Sequence, residues 1–136
     1  MTENAALTDA DYAALAEFRH QLRRFQAFSE DRAAECGLTP QQHQALLAIR
    51  GAAPALVSIG YVAERLGTKP HSASGLVVRL EALGLISRRA STQDARQALI
   101  ELTPKADRLL ERLSATHREE LVRLRPVLTA LLETFP

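Results

Sequence analysis

From Leu15 onward the apolar residues return at every third or fourth position: Leu15, Phe18, Leu22, Phe25 and Phe28. That spacing lays one apolar stripe along a helix. Thr8 to Asp11 offers an N-cap with an acid three residues on, and Gly37 after Cys36 suits the far end. Thr39-Pro40 supplies a cap and a proline for the first position of a second helix, with Ala45, Leu46, Leu47 and Ile49 as its apolar residues and a break from Gly51 to Pro54. Ser58 caps a short third pattern carrying Ile59, Val62, Ala63 and Leu66. After Gly67, Pro70 opens a fourth helix whose inner stripe is Ala73, Leu76, Val77, Leu80 and Leu83, and Gly84 stops it.

The period then changes. Residues 85–89 and 97–101 read as strands around a polar tip, Ala90 to Arg96. Thr103-Pro104 repeats the cap-and-proline device and starts a helix through Leu109, Leu110, Leu113 and His117 to about Val122, and Pro126 is expected to open a last helix with Val127, Leu128, Leu131 and Leu132. The order predicts a mainly α fold with a small β-wing: a winged helix-turn-helix lobe over residues 38–103, flanked by long terminal helices over 8–36 and 104–136, in one continuous domain. The terminal stripes exceed what the central lobe can cover, so a second copy is the expected cover and those helices the dimerisation elements of a homodimer.

Composition narrows the classes. The chain has 136 residues, 46% hydrophobic and 24% charged, a mix that supports a core rather than disorder. Aromatic residues are only 4% with no Trp, which favours helices over an all-β fold. No apolar run reaches the ~20 residues of a membrane span, and the start is polar and acidic rather than signal-like; a cytoplasmic protein without membrane contact is expected. The single cysteine, Cys36, excludes an internal disulfide. No nucleophile elbow, phosphate loop, zinc-protease motif or catalytic carboxylate pair appears, so the expectation is no enzyme and no cofactor.

Net charge is +1 for the whole chain, but it is unevenly spread. The first 37 residues are acidic, whereas 58–102 carry a modest basic excess from Arg65, Lys69, Arg79, Arg88, Arg89 and Arg96. Opposite its inner stripe the fourth helix shows His71, Ser72, Ser74, Gly75 and Arg79, small, polar or cationic residues that fit a major groove. Lys69 and Arg79 suit phosphates, as does Ser58 at the start of the pair. Any solvated amphipathic helix also has a polar outer face, and the wing is what tips the balance. There Arg88, Arg89 and Arg96 bracket the tip, and Asp94, two residues before Arg96, is placed to brace an arginine entering the minor groove. Double-stranded DNA is the expected partner, with a protein-interaction module as the alternative.

In this order the residues resemble the MarR family of transcriptional regulators over nearly the whole chain. The resemblance rests on Gly37-Leu38-Thr39-Pro40-Gln41-Gln42, on Ile59 to Leu66, on Leu76 to Ile86 with Arg88-Arg89, on Asp94-x-Arg96, and on Leu102-Thr103-Pro104-Lys105. It implies a homodimer built on the terminal helices, two winged lobes on a pseudo-palindromic operator, the groove role for His71, Ser72, Ser74 and Gly75, and the minor-groove role for Arg96. Ala106 and Val78 depart from the residues usual at their positions. The family also implies a repressor released by a small aromatic or phenolic effector, with redox- or metal-responsive regulation as an alternative. A pocket is expected near Phe25, His43, Leu47 and Arg50. Glu30, Asp31 and Glu35 beside Cys36 disfavour a thiolate, which makes it a plain small residue rather than a sensor. His20, His43 and His117 lack metal-site spacing and are expected as surface polar residues, with no metal site.

Overall fold

Helix starts fall where a side-chain oxygen or a proline is waiting. A computed structural model describes residues 5–91, 93 and 97–135, in the order α1 (Asp9–Glu35), α2 (Pro40–Ala52), α3 (Ile59–Leu66), α4 (Pro70–Ala82), β1 (Ile86–Ala90), β2 (Ala98–Leu102) and α5 (Pro104–Thr134). The Thr8 hydroxyl accepts from the Asp11 amide at 3.2 Å while the Asp11 carboxylate accepts from the Thr8 amide at 2.9 Å. Thr39 and Gln42 make the same reciprocal pair at α2, and Ser58 Oγ accepts from the Tyr61 amide at α3.

The strands β1 and β2 form an antiparallel pair with Ile86 opposite Leu102 and Ala90 opposite Ala98. Each begins one residue later than the pattern predicts. Leu85 is spent on the end of α4, where its amide donates to the Leu80 carbonyl and Gly84 turns with φ +74°. A third edge went unread in the sequence: the Ile100 amide donates to Val57 O at 2.7 Å, so the stretch before α3 pairs with β2. The expected break before Pro126 is also absent. α5 continues through it, because one proline removes one amide donor while the turns on both sides keep theirs.

The chain divides into two compact units. In Arg32–Ser114 the core is Leu46, Val62, Val77, Leu80 and Ile100, all fully buried, drawn from α2, α3, α4 and β2. α2, α3 and α4 pack on one another and on the sheet, so the helix pair is held on a solid base. Leu47 departs from its expected role and is exposed on α2.

The other unit consists of α1 up to Asp31 and α5 from Ala115. Phe25 and Phe28 approach His117 edge-on at 5.9 and 5.5 Å between ring centroids, while Ala14 and Glu17 share a cleft with Pro126 and Leu131. The two segments therefore run antiparallel. No described residue of this unit is buried, and Tyr12, Leu22, Leu121, Val122, Leu128 and Leu132 are exposed. No helix among the described residues is long and apolar enough to cross a membrane.

Leu80→Ala is expected to lower unfolding free energy by about 2–5 kcal/mol in urea denaturation, because it empties a filled core position. Leu47→Ala, on the exposed side of α2, should cost far less; equal losses would contradict this account of the core.

Candidate nucleic-acid interface

The turn between α3 and α4 is set by Gly67, the left-handed end of α3 at φ +66° and ψ +31°. Its amide donates to Ala63 O and Glu64 O, and the Thr68 amide also reaches Ala63 O at 3.0 Å. A residue with a Cβ is strained at that φ, although nothing lies within 4 Å of where the Cβ would be. The Val62 and Ala63 side buries, the inner side of α4 (Ala73, Leu76, Val77, Leu80) buries, and the opposite side of α4 is left outward.

On that outward side His71, Ser72, Val78 and Arg79 are exposed, and Ser74 and Gly75 are half-buried. The Arg79 guanidinium folds back over Gly75, 3.8 Å from where a Cβ would stand. Lys69 and Arg79 make no ion pair among the described residues. The face is thus bracketed by two uncommitted cations.

The start of α4 holds a feature that the sequence reading missed. α2 and α5 also begin at a proline, but each is preceded by a threonine whose hydroxyl accepts a first-turn amide. α4 is preceded by Lys69, which has no oxygen to offer and makes no cap bond. The Ala73 amide reaches Lys69 O, so the His71 and Ser72 amides have no acceptor among the described residues. Open amides beside a lysine suit an oxyanion. The signal was present as Lys-Pro where the other two helices have Thr-Pro.

Other expected contacts are already engaged. Arg88 Nε lies 3.3 Å from Glu81 Oε2, and Arg89 Nε lies 2.6 Å from Glu101 Oε1, across the hairpin. The Ser58 hydroxyl serves as the α3 cap. Asp94 and Arg96 lie outside the described residues.

No curated protein matches the sequence. The sequence model of the MarR family matches residues 37–97, from the end of α1 to the wing. Over that segment the sequence is similar to the MarR family. The chain as a whole has the fold of solved MarR-type structures. A variant of Staphylococcus aureus MepR bound to an oligodeoxyribonucleotide is 21% identical, with 96% of this chain and 100% of that one covered and a TM-score of 0.72. MepR itself, described as a transcription regulator of the S. aureus multidrug efflux pump MepA, gives 20% identity, coverages of 88% and 96%, and a TM-score of 0.75. AbsC, a MarR family transcriptional regulator from Streptomyces coelicolor, gives 18%, 88% and 81%, and 0.70.

The residues expected around an effector are not gathered at one place. Leu47 and Arg50 do line a cleft of about 510 Å3 with Asp107, Leu110, Glu111 and Ser114. Arg50 Nε stands 3.4 Å from Asp107 Oδ1, so the one cation there is paired and a second carboxylate is close by. His43 is buried beneath α2 and does not line that cleft, while Phe25 belongs to the other unit, against His117.

The surface expectation fails for two of the histidines. His43 is buried, and His117 is half-buried with Nε2 2.7 Å from Ser29 Oγ. His43 sits on an inward helix face that the apolar pattern did not mark because the residue is polar, whereas His117 continues the stripe of Leu109, Leu110 and Leu113. No group of three His, Cys, Asp or Glu residues is placed to hold a metal ion among the described residues.

Gly67→Ala is expected to destabilise the chain by about 1–2 kcal/mol, from the left-handed backbone alone. Gly75→Ala, at ordinary van der Waals distance from Arg79, should change stability by less. Thermal melts of the two variants check the order.

Proposed function

We propose that this chain is a sequence-specific DNA-binding transcriptional regulator that acts as a homodimer on a pseudo-palindromic operator, as a repressor. The observation that carries the reading is the outward side of α4: His71, Ser72, Ser74 and Gly75 between Lys69 and Arg79, which make no ion pair among the described residues, with two helix-start amides that have no described acceptor. His71 and the serines carry donors for base edges, and Lys69, Arg79 and the amides suit phosphates. The fold shared with MepR, solved bound to an oligodeoxyribonucleotide, supports it. Arg96 takes the minor-groove role, with Asp94 beside it, on sequence grounds. Arg88 and Arg89 chiefly stiffen the wing through Glu81 and Glu101.

The homodimer reading is supported by the unit without a buried residue. Its apolar side chains need a second copy to cover them. Pairing also doubles the phosphate contacts of a lobe whose basic excess is modest. Effector control works through the spacing of the two lobes: a ligand that favours a separation other than one duplex turn lowers operator affinity by its preference between the states.

Capture of genomic fragments followed by salt titration tests this function. Wild-type binding should fall steeply with salt, and Arg79→Ala should flatten the log–log slope by about 2, one phosphate per half-site. His71→Ala should instead relax base preference by about 1–3 kcal/mol at its contacted position and leave the slope unchanged. If no fragment is retained above background, or if retention is insensitive to salt, the protein-interaction reading takes its place.

A further inference from the structure

One residue on the outward side of α4 does not share the chemistry of its neighbours. His71, Ser72, Ser74 and Arg79 each carry a polar or charged group, whereas Val78 is apolar and 51% exposed. It follows His71 and Gly75 at spacings of four and three, so the three share one stripe of the helix. At 1.5 Å per residue Val78 stands roughly 10 Å along the axis from His71. It is also one of two positions at which the chain departs from the MarR pattern, so its role is not carried over from that resemblance.

Neither packing nor helix formation accounts for a valine there. Val77 is fully buried in the core, whereas Val78, beside it, lies outside. A β-branched residue is also a poorer helix former than alanine. The surroundings are too polar for a protein-docking patch, because the exposed residues that follow it, Arg79, Glu81 and Ala82, are charged or small. Glu81, the single carboxylate of α4, is held by Arg88, whose Nε lies 3.3 Å from Oε2. This turn therefore presents no bare negative charge to a polyanion.

A valine offers a groove neither donor nor acceptor. The apolar group on a major-groove edge is the C5-methyl of thymine, and the other base edges present polar atoms. We infer that Val78 is a specificity-determining residue that packs on the C5-methyl of one thymine in each half-site. The inference rests on the reading of α4 as the helix that enters the groove. It adds an apolar contact to the donors of His71 and the serines, so that base preference at this position is set by a methyl group and not by a hydrogen bond.

Replacement of thymine by uracil in the captured fragment is the test, because uracil keeps the O4 acceptor and the pairing with adenine and lacks only the methyl. Each thymine within the footprint is replaced in turn, and affinity is followed by fluorescence anisotropy for the full-length protein and for V78A. Wild type should lose about fourfold at one thymine in each half-site, the contribution of one buried methyl. V78A should bind the unmodified fragment more weakly by a similar factor, be indifferent to uracil at that position, and unfold near the wild-type temperature. Wild-type affinity unchanged by uracil at every position overturns the inference, and so does a V78A variant with the wild-type response to uracil. Both results leave the DNA-binding reading standing. If no fragment is retained at all, that reading fails and the inference fails with it.

Discussion

The burial of one side of α4 governs the rest of the structure. Ala73, Leu76, Val77 and Leu80 are drawn inward against α2, α3 and the sheet, and this alone decides which residues of the helix face out. At a few tens of cal/mol for each Å2 of apolar surface removed from water, those side chains fix the helix rotation far more firmly than any surface contact does. The outward residues are then whatever remains, and here they are small, polar and cationic. Gly67 sets the direction from which α4 leaves α3, and the Thr103 hydroxyl, donating to Gly84 O at 2.6 Å, ties the other end of α4 to the start of α5. The putting-forward of His71 and Ser72 is thus a consequence of packing elsewhere.

Much of this was legible because helices and caps announce themselves locally. Apolar spacing marks α1 to α4, and at the Thr-Pro and Ser58 starts the hydroxyls accept first-turn amides. The errors arose where the deciding contact is distant in sequence or where a local rule competes with its surroundings. The Val57–Ile100 pairing joins residues far apart in the chain, and no run of alternating residues marks it. Pro126 is a helix breaker by local rule, yet the turns around it hold. His43 and His117 were read as surface residues because polarity was taken for exposure. The open amides of α4 do not show in the pattern, because Pro70 marks a helix start whether or not the residue before it carries a capping oxygen.

Charge is divided in a similar way between structural and available groups. In the wing Arg88 and Arg89 hold carboxylates, which leaves Lys69 and Arg79 as the free cations nearest the helix start. Exposed pairs of this kind contribute little stability each. Their effect is to limit which arginines can reach a phosphate, and a sequence-level charge count cannot make that distinction. The unit in which no described residue is buried exposes Leu121, Val122 and Leu132, the surface that the proposed second copy would cover.

The central claim is that α4 of each of two copies enters the major groove of one duplex. Hydroxyl-radical and methylation footprinting on a captured fragment tests it most directly. The account predicts two protected major-groove patches about one helical turn, ~10 bp, apart and related by a dyad. A single patch, or uniform protection without periodicity, would contradict it.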